Sequence, residues 1–125
     1  MSTISERATT KPPQYRSRIV EDDDFARALD YLRDSAPEVG KAREAMIKAE
    51  KYLKHVEALL IKGSTASSSE KRVAEARCDD KWLKAAYEEA EAAGRFETWK
   101  SMREAAAAKI EAWRSEQANF RGMKA

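Results

Sequence analysis

Apolar residues recur at helical spacing over most of this chain. Between Val39 and Leu60 they alternate at intervals of three and four residues, a heptad repeat sustained for more than three heptads. This spacing predicts a helix that packs along a second helix at a shallow angle. The predicted seam consists of Val39, Ala42, Met46, Ala49, Leu53, Val56 and Leu60.

A second long pattern lies in residues 79–119, which contain no proline and a single glycine, Gly94. The apolar stripe before this glycine consists of Trp82, Leu83, Ala86, Tyr87 and Ala90, and the stripe after it of Phe96, Trp99, Met102, Ala106, Ile110 and Trp113. The two stripes do not share one heptad register. We therefore predict a bend or a change of packing partner at Gly94.

We expect the seam from Val39 to Leu60 to pack against the apolar stripe that follows Gly94. The members of that stripe assigned to the seam are Trp99, Met102, Ala106 and Ile110. The small residues Ala42 and Ala49 would allow the two helices to approach closely.

Start and stop signals divide the chain into four predicted helices. Asp22, Asp23 and Asp24 suit the positive end of a helix dipole, so the first helix is expected over 22–34. A restart is predicted at Ser35, which can cap, followed by Pro37 in a first turn. The remaining helices are predicted over 37–62, 68–77 and 79–119.

These elements predict an all-α fold. It is an antiparallel, coiled-coil-like helical hairpin over residues 21–121, with a short N-terminal helix covering part of one end. Residues 1–20 carry Pro12, Pro13 and no apolar period, and are predicted to be a disordered basic arm. Residues 122–125 form a short tail.

Composition supports long helices with a thin core. Of the 125 residues, 37% are charged, and there are only four glycines and three prolines. Helices of this kind bury narrow stripes, so a lone hairpin has little core, and we expect a homo-oligomer, a dimer or larger. The formal net charge of +2 does not select a class of partner.

The sequence contains no arrangement typical of catalysis. The single histidine, His55, and the single cysteine, Cys78, are far apart, and no carboxylates are spaced with a histidine for a di-iron site. We expect no enzymatic activity, no metal and no cofactor. With no signal peptide and no long apolar run, we expect a soluble intracellular protein with no membrane partner.

Aromatic residues beside cations are the one suggestive chemistry. The pairs are Trp99-Lys100, Trp113-Arg114 and Phe120-Arg121, and residues 100–125 carry six basic and three acidic residues, a net +3. Single-stranded nucleic acid binds by stacking on aromatics within a basic groove. The alternative is that Trp99 and Trp113 belong to the core stripe, which leaves Phe120 and Arg121 as the better exposed contact.

Two segments, Asp22–Leu32 and Ile110–Arg121, resemble a family of small tailed-phage and prophage proteins with an acidic helical start, an Ala-Pro-Glu-like turn and a helical hairpin. Such proteins lie among phage DNA recombination and replication genes, mostly without an assigned activity. The resemblance implies the bacterial host cytoplasm, or the virion, as location. Within the resembling segment, Trp113, Arg114, Asn119 and Arg121 would be the functional residues.

Two functions follow as hypotheses. The first is a non-enzymatic phage accessory protein of DNA recombination or replication that binds single-stranded DNA or a partner protein, through Trp113, Arg114, Asn119, Phe120 and Arg121. The second is a protein–protein interaction module, such as an inhibitor of a host factor or a component of the phage particle. The two differ in whether DNA is bound at all.

Overall fold

The computed structural model describes residues 20–124, which form three α-helices. These are α1 (Asp22–Gly63), α2 (Ser69–Arg77) and α3 (Asp80–Lys124). The described residues contain no strand, which confirms the all-α prediction for this part of the chain. The predicted arm lies outside the described residues except for Val20, which is buried.

Helix α1 continues without interruption through Pro37, so the prediction of two helices, 22–34 and 37–62, is wrong. A proline removes one N–H donor from a helix and crowds the preceding turn. Arg103 of α3 contacts that turn, and its Nη1 donates to the Leu32 carbonyl oxygen at 2.7 Å and to Ser35 Oγ at 2.6 Å. Ser35 is buried against α3 and caps no helix.

Helices α1 and α3 lie side by side and run in opposite directions. Phe25 contacts Trp113, and Ser35 contacts Arg103. Each helix advances by ten residues between these two contacts, so the register is constant over this part of the pair. At about 1.5 Å per residue, each helix is roughly 60–70 Å long.

The side of α1 that faces α3 is one unbroken heptad series, here called the α1 seam. Every member is buried or half-buried, and the seven positions predicted from Val39 to Leu60 are all among them. The α1 seam consists of Phe25, Ala28, Leu32, Ser35, Val39, Ala42, Met46, Ala49, Leu53, Val56 and Leu60.

Helix α3 presents a matching series, the α3 seam, which passes Gly94 without a shift. It consists of Trp82, Ala85, Glu89, Ala92, Phe96, Trp99, Arg103, Ala106, Ile110, Trp113, Gln117 and Phe120, all buried or half-buried. The predicted change of register at Gly94 is therefore wrong. Two seam positions are charged, and a search for apolar spacing alone does not find them.

Met102 was assigned to the seam and is instead 50% exposed, because Arg103 occupies the seam position next to it. The other predicted members, Trp99, Ala106 and Ile110, do lie on the α3 seam.

The core between the two helices is thin. Ala28, Ala106 and Ile110 form a buried cluster, against which Phe25, Tyr31 and Leu32 pack. Most buried residues of the described chain are alanines, and no large side chain in it is fully buried. Small residues let the helix axes approach closely but remove little apolar surface from water.

Helix α2 bridges the ends of the long helices. Arg77 Nε lies 2.6 Å from Glu57 Oε1 of α1, and Ala76 is buried. Ser68 caps α2 by accepting from the Lys71 N–H, and Asp79 Oδ1 accepts from the Lys81 N–H at the start of α3. These two side chains cap the first turns of α2 and α3 and so fix where each helix begins.

Candidate functional site

Trp113, the central residue of the predicted C-terminal site, faces the start of α1. Its ring stacks on Phe25 with centroids 4.0 Å apart and an interplanar angle of 13°. Its Nε1 donates to Asp22 Oδ1 at 2.9 Å. One face and the polar edge of the indole therefore contact other residues of the same chain. This agrees with the alternative that Trp113 belongs to the packing stripe and is not an exposed binding residue.

The other four candidate residues, Arg114, Asn119, Phe120 and Arg121, do not form a cluster around an exposed aromatic ring. Arg114 is exposed, and its Nη1 lies 2.9 Å from Glu111 Oε1. Asn119 and Arg121 are exposed, whereas Phe120 is half-buried on the α3 seam. Arg114 and Arg121 are seven residues apart, two helical turns, and therefore share one face of α3.

A second candidate surface lies at the opposite end of the helix pair, near the connection. Here Tyr52 and Leu59 of α1 and Lys84 and Glu88 of α3 line a groove of about 560 Å³. The floor of the groove includes the seam residue Val56, which is buried. The groove is therefore an opening beside the seam, with an apolar floor and charged walls.

Leu83 and Tyr87 lie beside this groove, on the outer side of α3. They share a shallow depression with Lys84 and Glu88, which also line the groove. The two depressions therefore form one continuous surface. We call it the connector-end patch, and it consists of Tyr52, Leu59, Leu83, Lys84, Tyr87 and Glu88.

The four apolar members of the connector-end patch are between 41% and 63% exposed. Adjacent exposed apolar side chains of this size are typical of surfaces that bind a partner. Leu83 and Tyr87 had been assigned to a packing stripe. The continuous α3 seam corrects this prediction, because Ala85 and Glu89 face α1 in their place.

Charged residues on the patch face of α3 are ordered by sign. Lys81 and Lys84 come first, and Glu88 and Glu91 follow, all exposed. None of these four forms an ion pair with another residue between positions 20 and 124.

The connector-end patch was not predicted from the sequence, because the apolar stripe before Gly94 was assigned to packing in a register different from that of the α3 seam. The signal was available in the positions from Phe96 to Trp113. Extended backwards in heptads, they assign Glu89 and Ala92 to the interface and leave Leu83 and Tyr87 outside it.

Other chemistry is sparse in the described chain. Residues 20–124 contain no cluster of three metal-ligating side chains, and Cys78 and His55 are both exposed. The shifts in pKa belong to surface ion pairs: a hydrogen bond from Arg27 lowers the pKa of Asp24, and one from Lys48 lowers that of Glu44. No described helix has the length and apolar character that a membrane span requires.

No protein-family model matches the chain, and comparison with curated proteins and solved structures found no match either.

Proposed function

We propose that this chain is a non-enzymatic helical interaction module. The antiparallel pair of α1 and α3 acts as a coiled-coil-like hairpin, and it presents the connector-end patch to a protein partner. The observation that carries the proposal is the exposure of Tyr52, Leu59, Leu83 and Tyr87 together around Lys84 and Glu88.

The patch has the composition that a helix-binding surface needs. Tyrosines contribute large contact areas and a polar hydroxyl, and tyrosine is enriched among the residues that dominate binding energy. Fully burying one leucine contributes about 1.5–3 kcal/mol. The groove runs beside the seam, so an amphipathic helix could place one apolar face along it, as in other helix-in-groove complexes.

The proposed setting is a phage accessory protein of DNA recombination or replication in the bacterial host cytoplasm or the virion. The resemblance of residues 22–32 and 110–121 to phage proteins is its support. In this setting the partner is a phage or host protein.

Single-stranded DNA is the second candidate ligand, and one observation favours it. Lys100, Arg114 and Arg121 lie at multiples of seven residues and form an exposed stripe along α3, in which Arg114 is paired with Glu111 and Lys100 and Arg121 form no ion pair with the other described residues. Such a stripe suits a phosphate backbone. Because Trp113 stacks on Phe25 and donates to Asp22, one face of its ring is not accessible for stacking on a base of the DNA.

Two matched double variants separate these functions. Leu83→Gln with Tyr87→Gln alters the patch, and Arg114→Ala with Arg121→Ala alters the stripe. A partner captured from host lysate and cross-linked to Lys84 should be lost from the first variant and retained by the second. Circular dichroism checks that both variants keep their helix content.

The same proteins are titrated with labelled single-stranded DNA at low and moderate salt. Anisotropy changes that disappear only in the arginine variant would establish the DNA function instead. Capture that is unaffected by the patch variant would exclude the patch as the binding surface.

A further inference from the structure

The order of charges along the patch face of α3 identifies the occupant of the connector-end patch, an inference that rests on the proposed function of that surface. Lys81, Lys84, Glu88 and Glu91 recur at intervals of three, four and three residues, so they follow one exposed face. The two basic residues and the two acidic residues are mirror-related about residue 86.

We infer that this face binds a second copy of the same chain, with the two α3 helices antiparallel across a two-fold axis level with residue 86. In that arrangement Lys84 of one copy lies opposite Glu88 of the other, and Lys81 lies opposite Glu91. The two-fold axis repeats each pairing, which gives four ion pairs. A parallel arrangement would place lysine against lysine and glutamate against glutamate.

The apolar side chains fit the same symmetry. Leu83 and Tyr87 lie on one side of the line through Lys84 and Glu88, and Tyr52 and Leu59 lie on the other. An axis across α3 brings each apolar flank against the same flank of the second copy. The product is an assembly with four long helices, in which the exposed apolar residues of the patch become covered.

The charges on this face are not neutralised by ion pairs within α3 itself. Lys84 precedes Glu88 by four residues, which is the less favourable order for an ion pair within one helix. Among the ion pairs of the described residues, none joins the Lys84 and Glu88 side chains. Both are therefore available to a charged group on another molecule.

A charge-exchange experiment tests the proposal. One variant carries Lys81→Glu and Lys84→Glu, and a second carries Glu88→Lys and Glu91→Lys. Sedimentation velocity at low micromolar to high micromolar concentration should show a dimer for the wild type and a monomer for each variant alone. An equimolar mixture of the two variants should regain the dimer, because an all-acidic face then meets an all-basic face.

Matched controls carry the same charge changes elsewhere. Lys51→Glu with Lys54→Glu and Glu97→Lys with Glu104→Lys change exposed residues away from the patch, and these proteins should remain dimers. Circular dichroism verifies that each variant is helical.

A wild type that stays monomeric at all concentrations would overturn the inference. Charge variants that each dimerise alone, or an equimolar mixture of them that stays monomeric, would overturn it as well. A monomeric wild type that still captures a protein through Leu83 and Tyr87 would exclude the second copy and leave the proposed function standing. A dimer that obeys charge exchange, with no captured protein, would support the second copy and exclude a different partner for the patch.

Discussion

The Trp113 ring lies flat on Phe25, with the two centroids 4.0 Å apart. This stack joins the last part of α3 to the first turn of α1, across 88 residues of sequence. The indole Nε1 donates at the same time to Asp22. One side chain therefore holds the start of α1 through both its face and its edge.

Replacing Trp113 should destabilise the protein in two separable steps. Trp113→Phe keeps an aromatic face and loses the bond to Asp22, at a cost of about 1 kcal/mol. Trp113→Ala also loses the stack, and because the residue is half-buried we expect a total loss of about 2–3 kcal/mol. Urea denaturation measures both values, and equal stabilities for the alanine variant and the wild type would contradict this role.

Arg103 should contribute to stability through hydrogen bonds rather than through apolar contact. Arg103→Met keeps a long side chain but removes the donor to Ser35 and the Leu32 carbonyl, which leaves the buried Ser35 hydroxyl without this partner. We expect a loss of about 1–3 kcal/mol. Ser35→Ala in the Arg103→Met background should then cost little, and a fully additive double-mutant cycle would disprove the coupling. The exposed Arg95→Met is the control.

Glu89 occupies a half-buried position on the α3 seam, between Ala85 and Ala92. Its carboxylate forms no ion pair with the other described residues. Glu89→Leu should therefore raise the free energy of unfolding by about 1 kcal/mol, since an apolar side chain gains from burial there. Thermal denaturation measures the change, and Glu97→Leu at an exposed position is the matched control. A lower melting temperature for Glu89→Leu would refute the seam register.

Asp79 should be the residue that fixes the start of α3. Its side chain accepts from the Lys81 N–H at 2.8 Å, and its carbonyl oxygen accepts from the Leu83 N–H. Asp79→Ala should lower stability by about 1 kcal/mol, whereas Asp79→Asn should be nearly neutral because asparagine also caps helices. Chemical denaturation of both variants tests this, and an equal loss in the two would point to charge rather than capping.

The Asp24 carboxyl should titrate below its ordinary range. The cause is the hydrogen bond from Arg27, so Arg27→Gln should raise the pKa of Asp24. A pKa that is lower in the folded state adds stability above the unfolded value, and that contribution is lost as pH falls through the folded value. NMR titration of the side chain measures the shift, with Glu44, which is paired with Lys48, as the internal reference that should not move.

Much of the helical content could be predicted from local features of the sequence. The start of α1 at Asp22 and the series from Val39 to Leu60 depend on local charge and on heptad spacing, and both are visible without tertiary contacts. The helices predicted over 68–77 and 79–119 agree closely in their bounds with α2 and α3 for the same reason.

The continuity of α1 through Pro37 could not be predicted in this way, and the register of α3 before Gly94 is found only when the heptads from Phe96 to Trp113 are extended through charged positions. Pro37 carries a strong local restart signal, and the contacts that Arg103 makes with the preceding turn come from 66 residues further along the chain. Arginine and glutamate at seam positions do not show in an apolar pattern. The sequence left Trp113 open between a core position and an exposed site, and only the antiparallel register places its ring on Phe25.

The constant register also determines how the molecule resists force. The start of α1 and the C-terminal part of α3 lie at the same end of the helix pair, beside the Phe25–Trp113 stack. Tension applied between them would peel the helices apart one layer at a time, and would not slide one along the other. The load then falls on one layer at a time, so extension should begin at low force at that stack and proceed towards α2.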